Sequence, residues 1–397
     1  MRILHIVGDS KFGGGTKVVI SLSVMAKQAG HDVDVLTTDP CSQEALRQSG
    51  IGVVDADVIW RSIRPWRDLK GLLRLYRMLR AGSYTLVHTH TSKGGLVGRL
   101  AAKLAGIPIV IHTVHGFAFH EESPRLELCL YSLLEKLAAR CCDKVVTVSE
   151  FHRDWAERLG IGGPSKLVAI PNGIQASLPE PRDRRALRAS LNLGWDEFVV
   201  LATGRLAPQK GLEDLVRAVP LIASRLDTPL KVVLLGDGPL RAGLEALTDA
   251  CRARDRVVFA GFQAQVSDYL SACDVVALPS LWEGLSIALL EAMAAGKPIV
   301  TTRIGSNVEV SRNGECALLV PPHAPAALAD AIVELATEPA RAWLMGQSAS
   351  AIFQETYTED RMSAAYRSLY ERMEADLTSS RVRSGGLVLN GSPPASS

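Results

Sequence analysis

The sequence has no apolar run of about 18 residues, so no segment can form a membrane-spanning helix. Its longest charge-free stretch, 104–120, is broken by Gly106, Pro108, Gly116 and three histidines, and it reads as a buried strand with loops. Cysteine is sparse and unpatterned. The seven residues form no Cys-x-x-Cys pair and their number is odd. That excludes a disulfide framework or a zinc ribbon and fits a reducing compartment. Neither charge sign is in excess, with 44 basic and 42 acidic residues and a net charge of +2. A dedicated nucleic-acid binder would carry a large basic surplus. The opening Met1-Arg-Ile-Leu-His-Ile-Val-Gly8 turns polar too soon for a signal peptide. The first glycine loop, Gly13-Gly14-Gly15-Thr16-Lys17, matches neither Gly-x-Gly-x-x-Gly nor the Walker loop.

What remains is a chain of 397 residues, 47% apolar, long enough for two domains. Short β-branched runs alternate with helical patterns. Arg2–Val7, His31–Thr37, Thr85–Thr89, Ile107–His112 and Lys144–Val148 read as strands of one series. Phe198–Ala202, Leu230–Leu235, Val257–Phe259, Val275–Leu278, Pro298–Thr301 and Ala317–Val320 read as strands of a second. Repeated βα units imply parallel sheets covered by helices. The fold class is therefore α/β, with two Rossmann-like domains, 1–174 and 175–356, facing a cleft. Ligands of such sheets bind beyond the carboxyl ends of the strands. Helical spacing continues over 357–376. The Ser/Gly/Pro-rich end, 377–397, predicts a disordered tail.

Two segments combine glycine with charge behind a strand. In Pro279-Ser-Leu-Trp-Glu283-Gly-Leu-Ser-Ile-Ala-Leu-Leu-Glu291, Gly284 permits close backbone approach and a helix begins near Ser286. Such a helix end offers N–H groups to an anion. Glu283 in the loop and Glu291 in the helix can accept hydrogen bonds from sugar hydroxyls. In Gly204-Arg205-Leu-Ala-Pro-Gln-Lys210-Gly211, an arginine fork and a mobile ammonium together suit a diphosphate. Without other support, the first pair would be a helix cap and a surface charge, and the second a solvated turn.

Five histidines crowd His88-Thr-His90-Thr-Ser-Lys93-Gly-Gly95 and His112-Thr-Val-His115-Gly-Phe-Ala-Phe-His120. No His-x-x-x-His helix accompanies them, so packing and hydrogen bonding are expected rather than a metal, with His115 the best ligand-facing candidate. Asp32-x-Asp34 and Asp55-x-Asp57 are short triplets that arise by chance. Residues 61–80 hold seven cations against Asp68, with Leu69, Leu72, Leu73, Tyr76 and Leu79 at helical spacing. A basic amphipathic helix preceded by Trp60 and Trp66 suits an anionic membrane surface.

With these residues in view, 1–373 resembles the retaining glycosyltransferases of family 4, which have the GT-B architecture. Glu283 through Glu291 matches that family's Glu-x7-Glu signature. Ile170-Pro-Asn-Gly-Ile174, Gly204-Arg-Leu, Lys210-Gly211, Gly236-Asp-Gly-Pro239 and Ala294-Ala-Gly-Lys-Pro-Ile-Val300 resemble its other motifs, in order. The histidine segments are similar to those of capsule, exopolysaccharide and lipid-linked oligosaccharide transferases.

The resemblance implies that Arg205 and Lys210 hold a donor diphosphate, assisted by the N–H groups of Gly284, Leu285 and Ser286. It implies Glu283 on the donor sugar, Glu291 on the ribose, and His115 and the Gly14–Gly15 loop near the transferred sugar. It places Asn172 near the interdomain cleft and the final helix across the N-terminal domain. The expected donor is a UDP-sugar such as a UDP-N-acetylhexosamine, and the expected acceptor a polyprenyl-diphosphate-linked saccharide whose diphosphate meets Lys93. No cofactor and no metal are expected, because cations and a helix end neutralise the leaving group. The location that follows is cytoplasmic, peripheral at the inner face of the membrane. Alternatives are a GDP-mannose-dependent transferase, a nucleotide-sugar epimerase, and an inactive nucleotide-sugar-binding relative.

Overall fold

Short buried strands alternate with amphipathic helices, and two sheets result. The computed structural model describes residues 1–8, 13–60, 64–175 and 183–386. The chain divides into two compact units. One comprises Met1–Val148, Arg153–Ile170 and the chain from Met362; the other comprises Ser149–His152 and Pro171–Arg361.

In chain order the first unit contains β1 (Arg2–Gly8), α1 (Gly14–Gln28), β2 (Asp32–Thr37), α2 (Pro40–Gln48) and β3 (Gly52–Val54). It continues with α3 (Pro65–Ala81), β4 (Leu86–His90), α4 (Ser92–Ala105), β5 (Ile109–Val114) and α5 (Arg125–Ala139). Strand β6 (Lys144–Thr147), helix α6 (Glu150–Arg158) and strand β7 (Leu167–Ala169) follow. The seven strands are parallel, in the order β3-β2-β1-β4-β5-β6-β7. The order reverses between β1 and β4, which puts the loops after those two strands side by side at one end of the sheet.

The two faces of this sheet differ. On one, Leu4, Ile6, Val87, Val110 and Val145 join Leu75 and Leu79 of α3, Ala101 and Ala102 of α4 and Ala139 of α5 in an apolar core. Strand side chains alternate, so the intervening residues point to the opposite face. There β1 and β4 present His5, His88 and His90, all fully buried.

The second unit runs α7 (Arg184–Ser190), β8 (Phe198–Thr203), a 3-10 turn at Pro208–Lys210, α8 (Leu212–Ala223), β9 (Leu230–Leu235) and α9 (Arg241–Ala250). Then come β10 (Val257–Gly261), α10 (Val266–Ala272), β11 (Val275–Leu278), α11 (Ile287–Ala294), β12 (Ile299–Thr302) and α12 (Gly305–Val310). Strand β13 (Leu318–Val320) and helices α13 (Pro325–Thr337), α14 (Pro339–Thr356) and α15 (Glu359–Gly386) complete the described chain. The sheet order is β10-β9-β8-β11-β12-β13, again all parallel, with its reversal between β8 and β11. Leu215 and Val219 of α8 and Ile332 of α13 close one face over Val200, Leu234 and Ala277.

Two expectations change. The segment expected as a tail from 377 is helical to Gly386, because extending an existing helix avoids the cost of nucleating one; residues 387–397 lie outside the described residues. From Met362 this helix belongs to the first unit. There Tyr370 bonds His88 (2.6 Å) and Tyr366 bonds Thr113 (2.9 Å). The basic helix begins at Pro65 rather than 61, with 61–63 outside the described residues. Its inward stripe is Gly71, Leu75 and Leu79, four residues apart, whereas Leu69 and Leu73 face solvent.

Candidate active-site residues

The loops that follow β8 and β11 adjoin at the reversal point of the second sheet, and side chains lock them together. Leu281 N–H donates to Gln209 carbonyl (2.8 Å), and Gln209 Nε2 donates to Trp282 carbonyl (3.0 Å) and to Glu283 Oε2 (3.1 Å). Lys210 Nζ donates to Glu283 Oε1, which also accepts from Ser280 Oγ (2.9 Å). The Glu283 carboxylate thus has three donors from two loops and is only 7% exposed. A buried carboxylate needs such compensation. In this structure Glu283, expected on the donor sugar, is paired with Lys210.

Backbone geometry makes the loops fit. Gly211 has φ +57°, and a Cβ there would lie 2.1 Å from Pro279 carbonyl oxygen. Gly236 has φ +138°, and a Cβ there would lie 1.9 Å from Gly204 oxygen. Any side chain at either position would force the loops apart. Asp237 carbonyl accepts from Leu206 N–H (3.0 Å), so the loop after β9 supports the Arg205 loop from behind. Arg205 itself is exposed. Gly284, Leu285 and Ser286 are buried ahead of α11, whose N-cap Ser286 accepts from Leu289 N–H (3.4 Å). The first N–H groups of a helix have no partner within it and carry partial positive charge. Glu291 is half-buried on the same helix. Arg205, Lys210, Glu283, Gly284, Leu285, Ser286 and Glu291 therefore all lie on the two loops and on α11.

Asn172 has a different setting. It is buried, and two residues on, Ile174 N–H donates to Tyr357 carbonyl (3.1 Å) while its own carbonyl accepts from Glu359 N–H (2.7 Å). The Pro-Asn-Gly motif anchors the start of α15 within the second unit.

In the first unit, β1 and β4 adjoin at the reversal point, and Thr91 Oγ1, just ahead of α4, donates to Val7 carbonyl (3.2 Å). Gly13 N–H donates to Thr16 Oγ1 (2.7 Å), fixing the start of α1. Gly14 is half-buried and Gly15 exposed, and a Cβ on Gly15 would sit 3.7 Å from the His115 ring. Lys93, expected to meet a diphosphate, donates to Asp68 of α3 (2.7 Å).

His115 is one end of a chain of rings. His115 Nε2 lies 3.1 Å from His90 Nδ1, and His90 Nε2 lies 3.1 Å from His5 Nδ1. His5 Nε2 and His115 Nδ1 are buried without a partner in the structure. Burial pushes His115 down to about 4 and His5 down to about 3, and holds His88 and His90 well below the usual imidazole range. These rings are neutral near pH 7, so each has one donor and one acceptor nitrogen. His115 can offer or accept a hydrogen bond there but does not supply an acidic proton. One nitrogen each of His5, His88 and His90 lies within 4.8 Å of the others. Both His88 nitrogens are engaged, by Tyr370 and by Thr113 (2.8 Å), and His5 and His90 bond each other. The trio is a hydrogen-bonded network.

Sequence reasoning missed His5, Gln209 and Ser280. The signal for His5 is its register: His5 lies opposite His88 across the parallel pair. Gln209 and Ser280 each adjoin a charged or glycine-rich motif but carry no charge themselves.

Both halves of the chain are similar to known proteins. The family described as "Glycosyl transferases group 1" matches residues 183–351, and "Glycosyl transferase 4-like domain" matches 13–173. The chain is 33% identical over 312 residues to the UDP-Gal:alpha-D-GlcNAc-diphosphoundecaprenol alpha-1,3-galactosyltransferase of Escherichia coli, covering 77% of this chain and 80% of that one. It is 29% identical over 391 residues to a D-inositol 3-phosphate glycosyltransferase of Rhodococcus opacus, covering 91% and 86%. Among solved structures, Anabaena Alr3699/HepE in complex with UDP and glucose shares the fold, with a TM-score of 0.81 at 23% identity over 94% of this chain and 100% of that one.

Proposed function

The chain belongs to the group 1 glycosyltransferases, retaining, nucleotide-sugar-dependent enzymes of the GT-B fold, and from that premise we propose a UDP-sugar donor and a polyprenyl-diphosphate-linked saccharide acceptor. The transferred sugar is a hexose or an N-acetylhexosamine. The acceptor class is supported by the Escherichia coli relative, which transfers galactose to a GlcNAc-diphosphoundecaprenol. No helix among the described residues is long and apolar enough to cross a membrane. We place its encounter with a lipid-linked acceptor at the cytoplasmic face, as a peripheral contact. The epimerase alternative is set aside, because transferase families match both halves of the chain.

The observation that carries the donor reading is the coupling of Lys210 to Glu283 across two adjacent loops, beside the exposed Arg205 and the α11 N-terminus. Breaking the anomeric bond leaves negative charge on the nucleoside diphosphate. Lys210, Arg205 and the helix end are arranged to receive it, so this reading requires no metal. Glu283 keeps the ammonium aimed, and Glu291 is assigned the ribose. Retention is accounted for by attack on the leaving-group side, with a donor phosphate oxygen taking the acceptor's proton. In the first unit, the Gly14–Gly15 loop, His115 and Lys93 are assigned to the sugar and acceptor groups.

The test is turnover of labelled UDP-galactose, UDP-N-acetylglucosamine and GDP-mannose on a short polyprenyl-diphosphate N-acetylglucosamine, with inositol phosphate as the competing acceptor. Product from a UDP-sugar on the lipid acceptor is expected, with and without chelator. Transfer only to inositol phosphate would replace the acceptor assignment, and transfer only from GDP-mannose the donor assignment.

A further inference from the structure

Apolar side chains are placed unusually on the first unit. Of the fifteen large apolar residues exposed among the described residues, ten lie on α3, α4 and α5. The five on α5 are Leu126, Leu130, Leu133, Leu134 and Leu137, a spacing that puts them in one stripe. An amphipathic helix normally turns such a stripe inward. Here the buried residues of α5 are Ser132, Ala138 and Ala139, and Leu126 is 83% exposed. Helix α4 adds Leu100 and Leu104, one turn apart. Helix α3 adds Leu69, Leu73 and Trp66, the last 80% exposed.

These helices form one layer. Each crosses from one parallel strand to the next in the same direction, β3 to β4, β4 to β5 and β5 to β6. Right-handed crossovers put all three on the same face of the sheet. Helix α4 lies between its neighbours and is pinned to both, by Lys93–Asp68 to α3 (2.7 Å) and by Arg99–Glu135 to α5 (2.9 Å). The exposed apolar groups thus share the outer side of one layer. A patch of that kind marks an interaction surface.

The charge around it identifies the partner. On α3, Arg67, Lys70, Arg74, Arg77 and Arg80 are exposed, while its acid, Asp68, is occupied by Lys93. Lys103 adjoins Leu104, and exposed Arg125 and Arg140 flank the two ends of α5. The exposed acids nearest in sequence, Glu121, Glu122 and Asp143, lie outside α5; its own acids, Glu127 and Glu135, are half-buried, and Glu135 is paired with Arg99. Cations bordering an apolar stripe match anionic headgroups over acyl chains. A second copy of this chain fits less well, since a two-fold contact centred on α4 would lay the α3 cations over the partner's α5 leucines, desolvating them without a counter-charge.

We propose that the outer side of the α3–α4–α5 layer is a docking surface for an anionic lipid bilayer, with the α5 leucines entering the acyl region and the α3 cations meeting the headgroups. This extends the membrane contact beyond the basic helix and makes α5 its apolar anchor. The proposal does not depend on which sugar or acceptor the enzyme uses.

The experiment is flotation of the full chain with vesicles containing no acceptor, either equal parts phosphatidylglycerol and phosphatidylcholine or phosphatidylcholine alone. The wild type is expected to float with the anionic vesicles. The double variant Leu130→Glu, Leu134→Glu is expected to lose binding about tenfold or more. The variant Arg67→Ser, Arg74→Ser is expected to lose the preference for phosphatidylglycerol and much of the sensitivity to about 0.5 M salt. All four side chains are exposed, so unchanged thermal midpoints report intact folding. No flotation of the wild type, or flotation unaffected by the leucine variant, would overturn the proposal. So would a concentration-dependent dimer in ultracentrifugation that the leucine variant dissolves, because the partner would then be a second copy. Failure of acceptor turnover with intact flotation would count against the acceptor assignment alone.

Discussion

The two units share a doubly wound plan yet distribute their side chains in opposite ways. In the second unit, leucines of α8 close on the sheet and the charged groups Lys210 and Glu283 stand on loops at the strand ends. In the first, a face of the sheet buries neutral histidines and tyrosines, while the outer helix layer shows leucines to solvent. Topology alone therefore does not decide where polar and apolar groups go. The second unit uses its reversal point to hold charge against charge. The first uses its reversal point to seat neutral rings that bond one another, Tyr370 and Thr113, with His5 Nε2 and His115 Nδ1 left unpaired.

The largest difference expected is in stability. Leu215→Ala, in the fully buried core of the second unit, should cost about 2–5 kcal/mol. Leu130→Ala, on the exposed stripe of α5, should change stability by less than about 0.5 kcal/mol. Denaturant midpoints of the two variants check this, and comparable losses would mean that the α5 stripe is covered.

A comparable effect is expected in catalysis. Lys210→Ala should lower kcat by about a hundred- to a thousandfold, near 3–4 kcal/mol, through lost charge stabilisation in the transition state. The fold of this variant should hold, because Glu283 keeps Gln209 and Ser280 as donors. A variant with unchanged kcat and a raised KM would show that Lys210 only binds the donor.

The smallest effect per group is the pH dependence, and it belongs mainly to the first unit. Burial depresses His5, His88, His90, His112 and His115 in the folded state. The unfolded chain therefore binds more protons below the ordinary imidazole value. The stability these neutral rings provide is complete above about pH 6.5 and is lost as pH falls toward about 4. The slope is about 1.4 kcal/mol per pH unit for each histidine. Thermal unfolding from pH 7.5 to 5 should show a steep loss, reduced in His90→Gln. A flat profile would mean that the rings are already solvated.

Much of the fold was legible because parallel strands buried on both faces are continuous apolar runs, such as Val275–Leu278, and helices between them keep their own period. The loops we assign to the donor were legible because glycine and paired charges are rare enough to stand out. His5 was not, since a lone histidine in Ile3-Leu4-His5-Ile6 acquires meaning only when β1 pairs with β4. The α5 stripe was not, since helical periodicity does not say which side of a helix a sheet covers. The helix beyond 377 was hidden by composition, which carries no record of the helix already propagating from Glu359.

The measurement closest to the central claim is a calorimetric titration of the wild type and Lys210→Ala with UDP and GDP in the presence of chelator. Metal-independent binding of UDP in preference to GDP, weakened by loss of Lys210, is the predicted result. A preference for GDP, a requirement for divalent metal, or UDP binding indifferent to Lys210 would contradict the account.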